Sequence, residues 1–197
     1  LSDWSHTEGY QTSATTGDYA HAEGGQTNAI ATYSHAEGLG TISLGQASHS
    51  EGYLTTTSGN YSHAEGESTE ASGQSSHAEG LSTVASGDWS HVEGYQSIAS
   101  GDYSHTEGER TFTDWAYSHA EGAYTVASGQ YSHAEGYQTR ATGISAHSEG
   151  QFTTASGEYS HAEGYYAKAS GSWSRAEGYL TVALGNNSHA EGGVTLA

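Results

Sequence analysis

The chain has 197 residues and a net charge of −19, with 23 acidic against 4 basic side chains. That balance makes nucleic acid and anionic membrane surfaces poor partners. The absence of Cys excludes a disulfide framework, a thiolate metal site and a thiol nucleophile. No apolar run is long enough to insert in a membrane.

Ser62-His63-Ala64-Glu65-Gly66 recurs fourteen times with small changes, at a period of 14 residues. Histidine stands at His21, His35, His49, His63, His77, His91, His105, His119, His133, His147, His161 and His189. Arg175 fills the one vacant place, and His6 precedes His21 by 15 residues. Two places on, a glutamate is present in every copy: Glu8, then Glu23, Glu37, Glu51, Glu65, Glu79, Glu93, Glu107, Glu121, Glu135, Glu149, Glu163, Glu177 and Glu191. Such a period specifies a stacked repeat architecture before any local propensity is consulted.

With the His as position 1, each copy reads as a strand, a turn at the Gly of position 4, a second strand and a Ser-Gly turn at positions 10 and 11. Side chains alternate along a strand, so Ser at position 14 and Ala at position 2 share one face while His and Glu share the other. Thr at position 7 and Ala at position 9 extend the small-residue face, with the Thr hydroxyl expected to bond the backbone. Nothing follows a helical period. The expected fold is therefore all-β: a β-solenoid of fourteen coils in a single domain over residues 1–197, about 65 Å long at the usual strand spacing.

Taken in order, the first copy carries one extra residue near Thr15–Thr16 and should bulge there. The copy from His105 to Ser118 loses its Ser-Gly turn to Asp114-Trp115-Ala116, the copy at His147 has Ser145 and Ala146 ahead of it, and the copy at Arg175 changes the His alone. Position 13 is aromatic in ten copies, among them Trp4, Tyr19, Tyr33, Tyr61, Trp89 and Tyr103. Position 5 adds Tyr53, Tyr95, Tyr137, Tyr165 and Tyr179. A coil this short has no room for these rings, which should stack outside as ladders. The chain has no Met and starts and stops within a repeat, and reads as a fragment of a longer fibrous protein.

Three sharper readings compete for the repeated motif. Ser-His-x-Glu contains the residue types of an acyl-transfer triad, but the Ser lies on the opposite strand face from the other two. His-x-Glu could form a metal ladder, although Arg175 has no lone pair to offer and shares with His only the ability to donate to a carboxylate. Thr at position 7 could form an ice-binding array, but it points inward. Pairing between His and Glu is the favoured reading, and no catalytic, cofactor-binding or metal residue is assigned.

The 14-residue repeat, its small positions and both turns resemble the head domain of trimeric autotransporter adhesins. Tyr61-Ser62-His63-Ala64-Glu65-Gly66 stands where that family has Asn-Ser-Val-Ala-Ile-Gly, and the same motif is similar to repeats of phage tail-fibre proteins. The resemblance implies a left-handed parallel β-roll, a homotrimer about a threefold axis, and an extracellular place on a cell surface or virion fibre. It implies a structural and adhesive segment that displays side chains to a protein or glycan receptor and is not an enzyme. The family's axial Val and Ile are His and Glu here, so the resemblance turns the pairs from His21–Glu23 to His189–Glu191, with Arg175–Glu177, into a polar ladder at the trimer axis. Carboxylates facing the imidazoles should raise the His pKa; a buried neutral-His arrangement would do the opposite. The alternatives for function are an ice- or metal-binding solenoid and a tailspike-like hydrolase.

Overall fold

The computed structural model describes residues 3–197. They form two compact units, one ending at Ala99 and the other spanning Ser100–Ala197. Each unit is a parallel β-solenoid, and no described residue is helical.

The coil beginning at His63 shows the pattern. His63–Glu67 is a five-residue strand and Glu70–Ala71 a two-residue one. Each pairs in parallel with the equivalent strand of the next coil, like on like: His77 with His63, Glu79 with Glu65, Ala85 with Ala71. The same register holds in the second unit, where His119 meets His133 and Glu121 meets Glu135. A 14-residue sequence period thus becomes a ladder of identical residues one coil apart.

The Ser-Gly turn lies where expected, closed by the Ser76 N–H donating to the Gly73 carbonyl, but the turn expected at position 4 falls two residues later. Gly66 sits inside the first strand, at a φ of 106°. A Cβ there would lie 2.2 Å from the Gly80 carbonyl oxygen of the next coil. Position 4 therefore needs Gly twice over, for its backbone angle and for the close approach. Gly73, at position 11, answers to the approach alone, since its Cβ would lie 2.0 Å from the Gly87 oxygen. The left-handed corners fall instead at positions 6 and 13, on residues such as Ser68 (φ 56°) and Tyr61 (φ 59°). That conformation costs a non-glycine residue roughly 1–2 kcal/mol. It is held by ladder bonds, the Ser68 N–H donating to Tyr53 and the Tyr61 N–H to Gln46, both at 2.8 Å.

The interior is as thin as the sequence requires. Ala36, Ala64, Ala71 and Ala85 are fully buried, and Val92 is the largest side chain so enclosed. The position-14 serines close the Ser-Gly turn from inside: Ser62 Oγ donates to the Gly59 carbonyl and Ser76 Oγ to that of Gly73, each at 2.7 Å. The Thr column is fully buried as expected, but its hydroxyls mostly do not find the backbone. Thr83 donates to the Glu79 carbonyl at 3.1 Å, whereas Thr27, Thr41, Thr55 and Thr69 make no hydrogen bond. Inward positions 2 and 9 are mostly alanines, which offer no acceptor, yet Thr41 and Thr55 stay unbonded even in the coils of Ser43 and Thr57. Where hydroxyls replace those alanines a knot forms: Ser50 Oγ lies 3.1 Å from Ser43 and 2.8 Å from Thr57.

The irregular copies keep the coil. Ser13 pairs with Asn28, fifteen residues on, while Gly17 abuts Ala31, fourteen on, which places the inserted residue between them at Thr15–Thr16. Trp115 replaces the position-11 Gly and turns outward, 56% exposed. Its bulk loosens the ladder locally, and the Asp114 N–H reaches the Ala127 carbonyl at 3.3 Å where Ser86 reaches Ala99 at 2.8 Å.

Candidate functional site

Alternation sends every His and Glu of the motif to the outside of its strand. Apart from Arg175, 56% exposed, and Glu177, 21% exposed, the motif side chains between the end coils keep about a third to a half of their surface exposed, 33% for His35 and 36% for Glu37. All the sequence-predicted pairs thus share one longitudinal strip in each unit.

Within the strip the imidazoles stack on each other. Ring centroids are 4.6 Å apart for His35 and His49, 4.9 Å for His49 and His63 and 4.9 Å for His63 and His77, all parallel to within 3°. The His77–His91 pair is tilted by 38°. In the second unit His119 and His133 stack at 4.7 Å, and His161 meets His147 edge-on. Arg175 interrupts this column and pairs directly with Glu177.

Most carboxylates stand beside the rings without hydrogen-bonding them. His35 Nε2 is 3.7 Å from Glu37 Oε2, and His77 Nε2 is 3.6 Å from Glu65 and 3.8 Å from Glu79. Closer approaches occur at His63 with Glu51, 3.3 Å, and His161 with Glu163, 3.4 Å. Several ring nitrogens, including those of His35, His49, His77, His119, His133 and His147, are screened from solvent yet make no hydrogen bond.

This geometry reverses the expected direction of the His pKa. His49, His77, His119 and His147 are held below the ordinary imidazole value, first by burial and next by the neighbouring imidazoles. The carboxylates pull the other way and lose. A stack of like groups one coil apart disfavours charging every member, which a count of Glu against His does not reveal. Burial, then the flanking carboxylates of its own column, correspondingly raises Glu79.

No triad assembles at the motif. Ser62 Oγ is buried and committed to the Gly59 carbonyl, on the far side of the strand from His63. The aromatic positions do form external ladders, with Tyr103 and Tyr117 at 5.0 Å, Tyr117 and Tyr131 at 5.1 Å, and Tyr159 and Trp173 at 4.2 Å. Stacked, these rings remain about half exposed, 48% for Tyr103 and 61% for Trp173. What sequence reasoning missed was the screened, unbonded nitrogens, whose only signal was the uniform spacing of the His column.

Fold and strip together define a parallel β-solenoid built from an outward His/Glu repeat. Two stretches, residues 78–104 and 176–193, match the YadA head domain repeat. Those two stretches are thus similar to the trimeric-adhesin head repeat that the motif resembles. No curated protein matches the chain.

Proposed function

We propose that this chain is a structural and adhesive segment of a homotrimeric extracellular fibre, with the His/Glu strip of each chain turned to the threefold axis. The observation that carries this reading is the strip itself. Solvent imposes no uniformity on a free surface, yet His or Arg and then Glu occupy these two columns in every copy. An isologous or cyclic interface between identical chains does impose it, because each level then meets copies of itself. The YadA head match supports the same arrangement, and the alanine-filled interior explains why one coil stack would gain from lateral partners.

In this reading the stacked coils supply stiffness and reach. The outward aromatics, such as Tyr103, Tyr117 and Trp173, and the variable side chains at positions 6, 8 and 12 are the surface offered to a receptor. Sedimentation equilibrium with chelator present tests the assembly. The expected mass is three times the 20.5 kDa of the chain. A folded monomer would overturn both the axis assignment and the fibre reading.

A further inference from the structure

The carboxylate of Glu37 lies between two imidazoles, with Oε2 3.7 Å from His35 Nε2 and Oε1 3.9 Å from His49 Nε2. Both separations exceed a hydrogen bond. Both nitrogens are shielded from water and bond nothing, although a screened polar atom without a partner is costly to keep. A dedicated His–Glu hydrogen-bond ladder would have closed these distances.

Zinc binds imidazole nitrogen and carboxylate oxygen at about 2.0–2.2 Å, which puts neighbouring donors of a tetrahedral site about 3.3–3.5 Å apart. The His–Glu spacings, one to each oxygen of Glu37, are within a few tenths of an ångström of that edge, and the carboxylate need only turn to present one oxygen to both rings. The two rings, 4.6 Å apart, must converge further, by tilting about their own side-chain bonds. They are partly exposed and free to do so, and the His77–His91 pair already carries such a tilt.

We propose that His35, Glu37 and His49 form a binding site for a borderline divalent transition-metal ion of the Zn²⁺ type. His77, Glu79 and His91 form a second. In each, the three donor atoms lie within 4.8 Å of one another. Two imidazoles and one carboxylate leave a fourth position for water or another donor, and they select Zn²⁺, Ni²⁺ or Cu²⁺ over the oxygen-seeking Mg²⁺ and Ca²⁺. His49 also belongs to an overlapping cluster with Glu51 and His63. One ring nitrogen serves one ion, so occupied levels alternate with empty ones and the ions stay more than one coil apart. Arg175 removes a donor at one level without touching either site. All three ligands come from one chain, so the inference does not rest on the trimer.

Equilibrium dialysis of the full chain, stripped with chelator, against Zn²⁺ and separately against Mg²⁺ and Ca²⁺ tests the proposal. The expected result is retention of at least the two equivalents of Zn²⁺ per chain that the separate clusters allow, with a rise in melting temperature, and no retention of Mg²⁺ or Ca²⁺. His49→Asn, which breaks both overlapping clusters, loses one equivalent, and His6→Asn, outside all of them, loses none. Should His49→Asn fail to fold by circular dichroism, Glu37→Gln with Glu51→Gln removes the carboxylates of the same two clusters and must lose the same equivalent. Absence of Zn²⁺ binding to the wild type, or equal binding by the site variants, overturns the proposal. Sedimentation of the same samples keeps the two readings apart. A trimer that binds no Zn²⁺ sinks the metal site alone, and a monomer that binds it sinks the fibre reading alone.

Discussion

Replacing Gly66 by Ala separates two demands that position 4 makes at once. The backbone angle of 106° strains any side chain, and the new Cβ would lie 2.2 Å from the Gly80 oxygen. Gly192 in the terminal coil has a φ of 96° but no atom within 4 Å of its Cβ. It therefore reports the angle without the clash. An unfavourable backbone conformation costs about 1–3 kcal/mol. Relieving the clash means parting two coils locally, an overpacking cost of about 1–3 kcal/mol. It also weakens ladder bonds between those two coils, such as Ser82 N–H to the Glu67 carbonyl, 2.8 Å, at about 1 kcal/mol each. Gly66→Ala should then lose about 3–7 kcal/mol in total and Gly192→Ala only the angle's share of about 1–3 kcal/mol. Denaturant unfolding followed by far-ultraviolet circular dichroism measures both. Equal losses would refute the claim that coil-to-coil approach, beyond backbone angle, makes this Gly indispensable.

The lowered pKa of His49, His77, His119 and His147 sets a pH slope. Each contributes stability that is complete above the unfolded value of about 6.5 and lost as pH falls from there through the lower folded value. Melting temperature in chelator should therefore drop between neutral and mildly acidic pH. The raised pKa of Glu79 acts in the opposite sense but in the carboxylate range, so it leaves that window intact. A melting temperature that climbs on acidification would show the imidazoles to be charged. In the hydroxyl knot, Ser50→Ala alone should cost about 1 kcal/mol by removing the hydroxyl that bridges Ser43 and Thr57 and donates to the Ile42 carbonyl, whereas Ser43→Ala, Ser50→Ala and Thr57→Ala together, which restore the alanine interior of the other coils, should recover most of it. Thermal denaturation of both variants decides this, and a triple variant much weaker than the single would contradict it.

Much of the coil was legible in one line of sequence. Period fixes the stacking, because an exact 14-residue repeat can bury its small residues only by placing like on like, as His63, His77 and His91 show. Alternation about the motif separates Ser62 and Ala64 inside from His63 and Glu65 outside. The count of residues between Ser13 and Gly17 located the insertion. Ring size alone expelled Tyr103 and Tyr117 to the surface.

What sequence could not decide depends on distances between coils. Left-handed corners were sought at glycines, but Gly66 and Gly73 are required by a backbone one coil away, which left Ser68 and Tyr61 to take the corners under the hold of ladder bonds. The Thr27 hydroxyl could be placed inside but not partnered, since its neighbours across the coil come from elsewhere in the chain. The direction of the pKa at His49, His77, His119 and His147 was missed for the same reason. Composition counts His against Glu, whereas the pKa of His49 is lowered first by burial and then by His35 and His63, with rings 4.6 and 4.9 Å away, which together outweigh Glu37 at 3.9 Å. Alternation is a property of the strand and can be read along it; the spacing of one coil on the next exists only once the chain has wound, and that spacing sets the sign of the electrostatics.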